Sequence, residues 1–257
     1  MIGFIVSAIK IIFLLGFLIF IHEGGHFLVA KLCKVKVNDF SIGFGPIIWK
    51  KQTTETKYAL RLIPLGGFVN MEGEAEESDD EKSFSKASIL KRIAIVIAGP
   101  LVNIFFGLIV YFILISIMVG IYSNGEISGF SNQILYGLNE TGKFALSMGE
   151  SIKQLFSGKV NADQMMGPVG ISSVVASTSK MVDYIYILSV ISVSLGVTNL
   201  LPIPALDGGK ILLLLIEGVR RKPLKQETEI QIQLIGFSIL MALSIYITFN
   251  DVTRIIK

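Results

Sequence analysis

Charge is scarce in this chain. Lys, Arg, Asp and Glu make up 17% of its 257 residues, against about 25% in average soluble domains. Hydrophobic residues reach 52% and mean hydropathy is +0.67, so an ordinary soluble protein is excluded and lipid is implied. Cysteine is nearly absent: Cys33 is alone, and no disulfide can form within the chain. Histidine is equally rare, with only His22 and His26. Internal repeats and long low-complexity tracts are missing. The apolar runs also lack period-2 alternation, which excludes barrel strands and leaves helices.

Four runs meet the requirement of about 20 mainly apolar residues for crossing a bilayer. They cover residues 2–29, 93–121, 184–216 and 232–249. The first has no basic stretch before it, Lys10 interrupts it and no clear A-x-A site follows. It reads as a retained span rather than a cleaved leader.

Basic residues orient these spans. Residues 31–92 hold eleven Lys or Arg, and Arg220, Arg221, Lys222 and Lys225 follow the third span. The stretch 122–183 holds only Lys143, Lys153, Lys159 and Lys180. Positive charge gathers on the cytoplasmic side, so the first and third connections are expected there, with both termini outside. Membrane topology accounts for the net charge of +3, and no nucleic acid partner is implied.

Within the first connection, residues 40–69 mix aromatic and β-branched residues with Gly and Pro, the pattern of strands joined by a polar turn at 52–56. Two readings stand: a cytosolic hairpin, or one dipping into the membrane on the apolar Ile42, Phe44, Ile47, Ile48 and Trp49. Residues 72–86 open with a dense acidic run, expected to be a solvated, mobile loop. In the external segment 122–183, residues 137–158 carry apolar side chains at helical spacing. An amphipathic helix on the outer membrane surface is expected, followed by an apolar turn at 166–171.

The chemistry concentrates in His22-Glu-Gly-Gly-His26, inside the first span. Positions i and i+4 lie one above the other on a helix, so both imidazoles can face one ion. Neutral imidazole is a good zinc ligand, and a carboxylate at Glu23 can take a proton from water activated by zinc. Two histidines and a glutamate are costly in lipid unless they serve a site. Gly24 and Gly25 fit either tight helix packing or close approach of a substrate.

Zinc sites normally use at least three protein ligands. Asp207, in Asn199-Leu-Leu-Pro-Ile-Pro-Ala-Leu-Asp-Gly-Gly209, is the candidate third. Pro202 and Pro204 break the third span, and broken helices at membrane depth line sites. A competing reading pairs Asp207 with Lys210, three residues on. The topology places all three candidate ligands at similar depth, near the cytoplasmic face.

Taken together these segments resemble the site-2 protease family, in its bacterial regulator of sigma-E protease type. The likeness runs through His22–His26, F-G-P at 44–46, I-P-L-G-G-F-V at 63–69, A-G-P-L-V-N at 98–103, G-P-V-G-I at 167–171 and the Asn199–Gly209 segment. The resemblance implies zinc held by His22, His26 and Asp207, Glu23 as general base, and substrate contacts at Asn199, Pro202, Pro204, Gly43 and Gly45. It also implies a membrane-associated hairpin that offers a strand edge to an unwound substrate.

The expected architecture is therefore an α-helical integral membrane protein of four transmembrane helices. A membrane-associated β-hairpin follows the first, and an amphipathic surface helix follows the second, in one metalloprotease domain over residues 1–257. The expected activity is zinc-dependent hydrolysis within the transmembrane segments of single-span proteins in the bacterial cytoplasmic membrane, after a first cleavage, as with anti-sigma factors or remnant signal peptides. A zinc-binding scaffold and a metal-ion transporter are the alternatives. The family type usually carries one or two PDZ domains between the second and third spans; about 45 residues from Tyr122 to Gly167 are too few for such a domain together with the amphipathic helix.

Overall fold

A computed structural model of the chain describes residues 2–74, 76, 78–122, 127, 129–157 and 166–256. Its elements are α1 (Ile2–Leu32), β1 (Val37–Gln52), β2 (Lys57–Met71), α2 (Ile89–Tyr122), α3 (Phe130–Phe156), α4 (Pro168–Ser177), α5 (Met181–Asn199), α6 (Asp207–Arg220) and α7 (Gln226–Ile256). The described residues are mostly helical, with one small sheet. Among the described residues, four helices are long and apolar enough to cross a membrane: Ile5–Leu32, Ile89–Ile121, Met181–Asn199 and Glu227–Arg254. The shortest has 19 residues, about 28 Å at 1.5 Å per residue, which matches a hydrocarbon core of about 30 Å.

The chain forms two compact units. The first comprises Met1–Asn103 and Leu195–Leu240. Its apolar centre joins Ala30 at the end of α1, Val37 and Met71 of the sheet, Phe84, Ile95 and Val96 of α2, and Leu214 of α6. Gly25 makes the α1–α2 approach close: a Cβ there would lie 2.7 Å from the carbonyl oxygen of Ala98. Arg92 donates through both terminal nitrogens to the Glu217 carboxylate, tying α2 to α6.

The sheet consists of β1 and β2 alone, and each is bent enough to be used twice. Trp49–Gln52 pairs with Lys57–Leu60, while Phe40 is registered with both Tyr58 and Val69. Residues 39–42 therefore lie between 57–60 and 67–70, which leaves Gly67–Asn70 on an outer edge. The bend in β1 passes through Gly43 and Gly45, at φ +86° and +81°, a region open mainly to glycine. Phe44, Ile47, Ile48, Trp49, Leu62 and Ile63 are exposed beyond it.

The acidic connection is held at several points. Glu72 accepts from Asn38 Nδ2 and Ser78 Oγ, both through its carboxylate, and Lys36 bridges Glu72 and Asp80 at 3.5 and 3.0 Å. Phe84 is buried in the core. These contacts anchor the polar residues of a stretch whose composition alone suggests a freely solvated loop.

The second unit comprises Ile104–Ser194 and Met241–Lys257. Here α3 begins seven residues earlier than expected and runs antiparallel to the second half of α2. Gln133 meets Gly120, Gly137 meets Ser116 and Phe112, and Phe144 stacks on Tyr111 at 4.4 Å. Gln133, Gly137 and Phe144 thus follow a membrane-spanning helix lengthwise, while Leu135, Leu138 and Leu146 stay exposed. Residues 166–171, expected as a turn, instead open α4, because Pro168 occupies a first-turn position that needs no N–H. Asp251, from α7, accepts from Gly170 N–H at 2.8 Å and supplies the cap that local sequence lacks.

Candidate metal centre

The third span breaks as its prolines suggest. α5 ends at Asn199, and the chain turns through 200–206 with Ala205 at φ +73°. Ala205 N–H donates to Gln233 Oε1 at 2.5 Å. The chain re-enters a helix at Asp207. Gly208 and Gly209 are required by this fold-back: a Cβ on Gly209 would lie 2.6 Å from the Ile203 carbonyl carbon and 2.8 Å from Pro204 Cα. Asp207 thereby stands in the first turn of α6, with its carboxylate directed at α1.

One turn of α1 supplies the other two donors. His22 Nε2 lies 3.1 Å from Asp207 Oδ2, His26 Nε2 lies 3.3 Å from His22 Nε2, and His26 Nε2 lies 3.6 Å from Asp207 Oδ2. No other group of three or more side chains that could hold a metal ion occurs among the described residues. Tetrahedral zinc with bonds of about 2.0–2.2 Å separates its ligand atoms by about 3.3–3.6 Å, so this triangle has the size of a zinc face. His26 Nδ1 donates to the Ile95 carbonyl at 2.9 Å, so a neutral His26 ring presents Nε2 as a bare acceptor to the Asp207 carboxylate. A cation between them converts that repulsion into binding.

Helix α2 backs the histidines. Ile95 receives His26, Gly99 faces the same imidazole, and Asn103 places its amide nitrogen 3.3 Å from His22 Nδ1. Pro100 has no N–H to return to the carbonyl of Val96, so the helix is already perturbed where it meets the site.

Glu23 lines the same cavity, of about 180 Å³, together with Gly67, Phe68, Val69 and Met71 of the outer sheet edge. Gly67 permits the contact: a Cβ there would lie 3.2 Å from Glu23 Cγ and 3.0 Å from the Ser41 carbonyl oxygen. Lys210 is not the partner of Asp207. Its ammonium pairs with Glu74 and sits 4.8 Å from the centre of the Phe84 ring. Glu74 borders this cavity, an apolar groove of about 610 Å³ along α7, and a polar cavity of about 600 Å³ lined by Ser78, Asp79, Arg92 and Glu217.

The structure thus brings His22, Glu23, His26 and Asp207 together. Gly43 and Gly45 lie at the bend of β1 and do not line the cavity, and neither do Asn199, Pro202 and Pro204; Pro204 packs against Gly236. Sequence reasoning gave no role at the site to Ile95, Gly99, Asn103 or Glu74, and read Lys210 only as a rival partner of Asp207. The available signal was the A-G-P-L-V-N segment at 98–103, which carried the family likeness and holds both Gly99 and Asn103.

The model of peptidase family M50 matches residues 10–243. The chain belongs to peptidase family M50. Membership makes it a zinc metalloendopeptidase of the site-2 protease type, a multi-pass membrane protein acting on membrane protein substrates. Similar proteins include one of Clostridium acetobutylicum that carries a zinc metalloprotease name, 30% identical over 92% of this chain and 94% of that protein. A similarly named protein of Fusobacterium nucleatum is 30% identical over 94% and 97%. Zinc metalloprotease RasP of Bacillus licheniformis is 23% identical over 97% and 99%.

Proposed function

We propose that this M50 peptidase cuts substrate transmembrane helices at a centre where His22, His26 and Asp207 hold zinc and Glu23 is the general base. The observation that carries this reading is the triangle of 3.1, 3.3 and 3.6 Å beside a carboxylate lining the same cavity. Zinc held there supplies a Lewis acid that makes water nucleophilic near neutral pH and polarises the scissile carbonyl. Glu23 removes the proton as water attacks and delivers it to the leaving amide nitrogen. The outer edge at Gly67–Asn70 receives the unwound substrate as an added strand, satisfying backbone groups that a helix in lipid keeps paired.

Positive charge in residues 31–92 and 220–225 supports cytoplasmic placement of those connections, with the termini outside and the cut in the cytoplasmic half of the substrate helix. Exposed Phe44, Ile48 and Trp49, beside Lys50 and Lys51, suit a hairpin lying in the membrane. The polar cavity bordered by Glu74 suits entry of cytoplasmic water. Against a transporter stands the apolar character of the second and fourth spans; against a scaffold, an intact Glu23.

The alignments with the Clostridium and Bacillus proteins extend over 320 and 416 positions, more than the 257 residues of this chain. The extra positions suit relatives that carry an insertion of domain size that this chain lacks, and the short segment 122–167 is where the family type usually has it. Where a PDZ domain holds back bulky ectodomains until a first cut, a chain without one is expected to be less selective and to accept longer ectodomains. Mass-spectrometric mapping of products from a single-span substrate, with long and trimmed ectodomains, tests both points. Cuts in the outer half of the helix would refute the topology, and refusal of the long form alone would refute the absent filter.

A further inference from the structure

A polar side chain at the middle of a lipid-spanning helix is costly unless something requires it. Asn103 is such a residue: fully buried in α2, among Leu101, Val102, Ile104 and Phe105. Its amide meets His22 Nδ1 at 3.3 Å. Ile95, Gly99 and Asn103 are spaced by four residues and occupy one face of α2. That face offers the Ile95 carbonyl to His26, room for the His26 ring at Gly99, and an amide to His22. Each histidine therefore has one α2 group at its Nδ1, on the side of the ring away from the metal triangle.

The tautomer requirement differs between packing and metal binding. A neutral His22 that presents Nε2 to a cation carries its proton on Nδ1, and that proton needs a buried acceptor. The Ile95 carbonyl fills this need for His26. For His22 the group in reach is the Asn103 amide, whose two ends have the same shape and exchange by a half-turn. With Oδ1 toward the ring, it accepts the Nδ1 proton.

We propose that Asn103 is a positioning residue of the metal centre, fixing the tautomer and rotation of His22 so that Nε2 points at the ion. This rests on His22 being a zinc ligand. Partners of this kind typically change metal affinity by 10–100-fold.

The test uses the full chain in detergent, with zinc affinity measured by competition against a chelator and ligand geometry by the visible absorption of the cobalt-substituted protein. Asn103→Leu is expected to weaken zinc 10–100-fold and alter the cobalt spectrum, while Asn103→Asp, which retains an acceptor, stays within a few-fold of the parent. Should Asn103→Leu not accumulate, Asn103→Ala carries the same expectation. Parental affinity in Asn103→Leu or Asn103→Ala overturns the proposal, and so does an Asn103→Asp variant as weak as they are, since that outcome assigns Asn103 to packing alone. His22→Ala separates the underlying reading: full zinc binding by that variant refutes the ligand assignment itself.

Discussion

Gly99 and His26 occupy each other's space: a Cβ on Gly99 would lie 2.6 Å from His26 Cε1 and closer still to Nε2. The imidazole stands where any other residue of α2 would place its side chain. Absence of an atom in one helix thus sets the position of an imidazole nitrogen of the proposed metal centre in another. Gly99→Ala is expected to displace the ring, with overpacking costing about 1–3 kcal/mol. Zinc content and cleavage should then fall together by at least about tenfold, within the range for disturbed ligand support. Elemental analysis of the purified variant checks this, and full zinc loading would contradict it.

Arg92 and Glu217 form a nearly buried, two-pronged ion pair between α2 and α6, with side chains 10% and 14% exposed. Removing one member of a buried pair costs about 3–5 kcal/mol, because the other charge is left unpaired, whereas replacing both by apolar groups is often neutral. Glu217→Gln and Arg92→Met should each lower the melting temperature in detergent markedly. The double substitution Arg92→Met with Glu217→Leu should recover most of the loss. An additive double variant would show that the pair is not the source of the effect.

Glu72 and Asp80 connect pH to the order of the acidic connection. The hydrogen bond from Ser78, then that from Asn38, holds the Glu72 carboxyl below its ordinary range. The backbone N–H of Lys82, then Lys36, does the same for Asp80. A carboxyl depressed on folding stabilises the fold fully above its unfolded value, and that contribution is lost as pH falls through the depressed value. Protection of the acidic run from protease should be constant near neutrality and fall on acidification below the usual carboxylate range. Lys36→Ala should weaken it at neutral pH. Protection insensitive to acid would contradict the anchoring.

The sequence reveals those parts of the site that lie within one stretch of chain or announce themselves by cost. His22, Glu23 and His26 fall within five residues, and Asp207 is an acid behind two prolines in an apolar run. The A-G-P-L-V-N segment of α2 stood out by resemblance, but its role was not legible, because Ile95 acts through its backbone carbonyl, Gly99 through a missing atom, and Asn103 through a neighbour 81 residues away. Lys210 was read against Asp207 by proximity in sequence, yet its partner is Glu74, 136 residues away. In the fold, the four spans follow from composition. The course of α3 along α2 does not, since Gly137 and Phe144 reveal their contacts only once Ser116 and Tyr111 are placed. The start of α4 was hidden for a related reason: its cap, Asp251, comes from α7.

The central claim is that Glu23 performs proton transfer at a zinc centre built by His22, His26 and Asp207. Its most direct test is zinc content and cleavage of a single-span substrate measured on the same preparation of Glu23→Gln. The account predicts zinc retained at one per chain and cleavage lowered by about 10²–10⁴-fold or more, the contribution of a general base, with Asp207→Ala losing both. Parental cleavage by Glu23→Gln, or loss of its zinc, would contradict it.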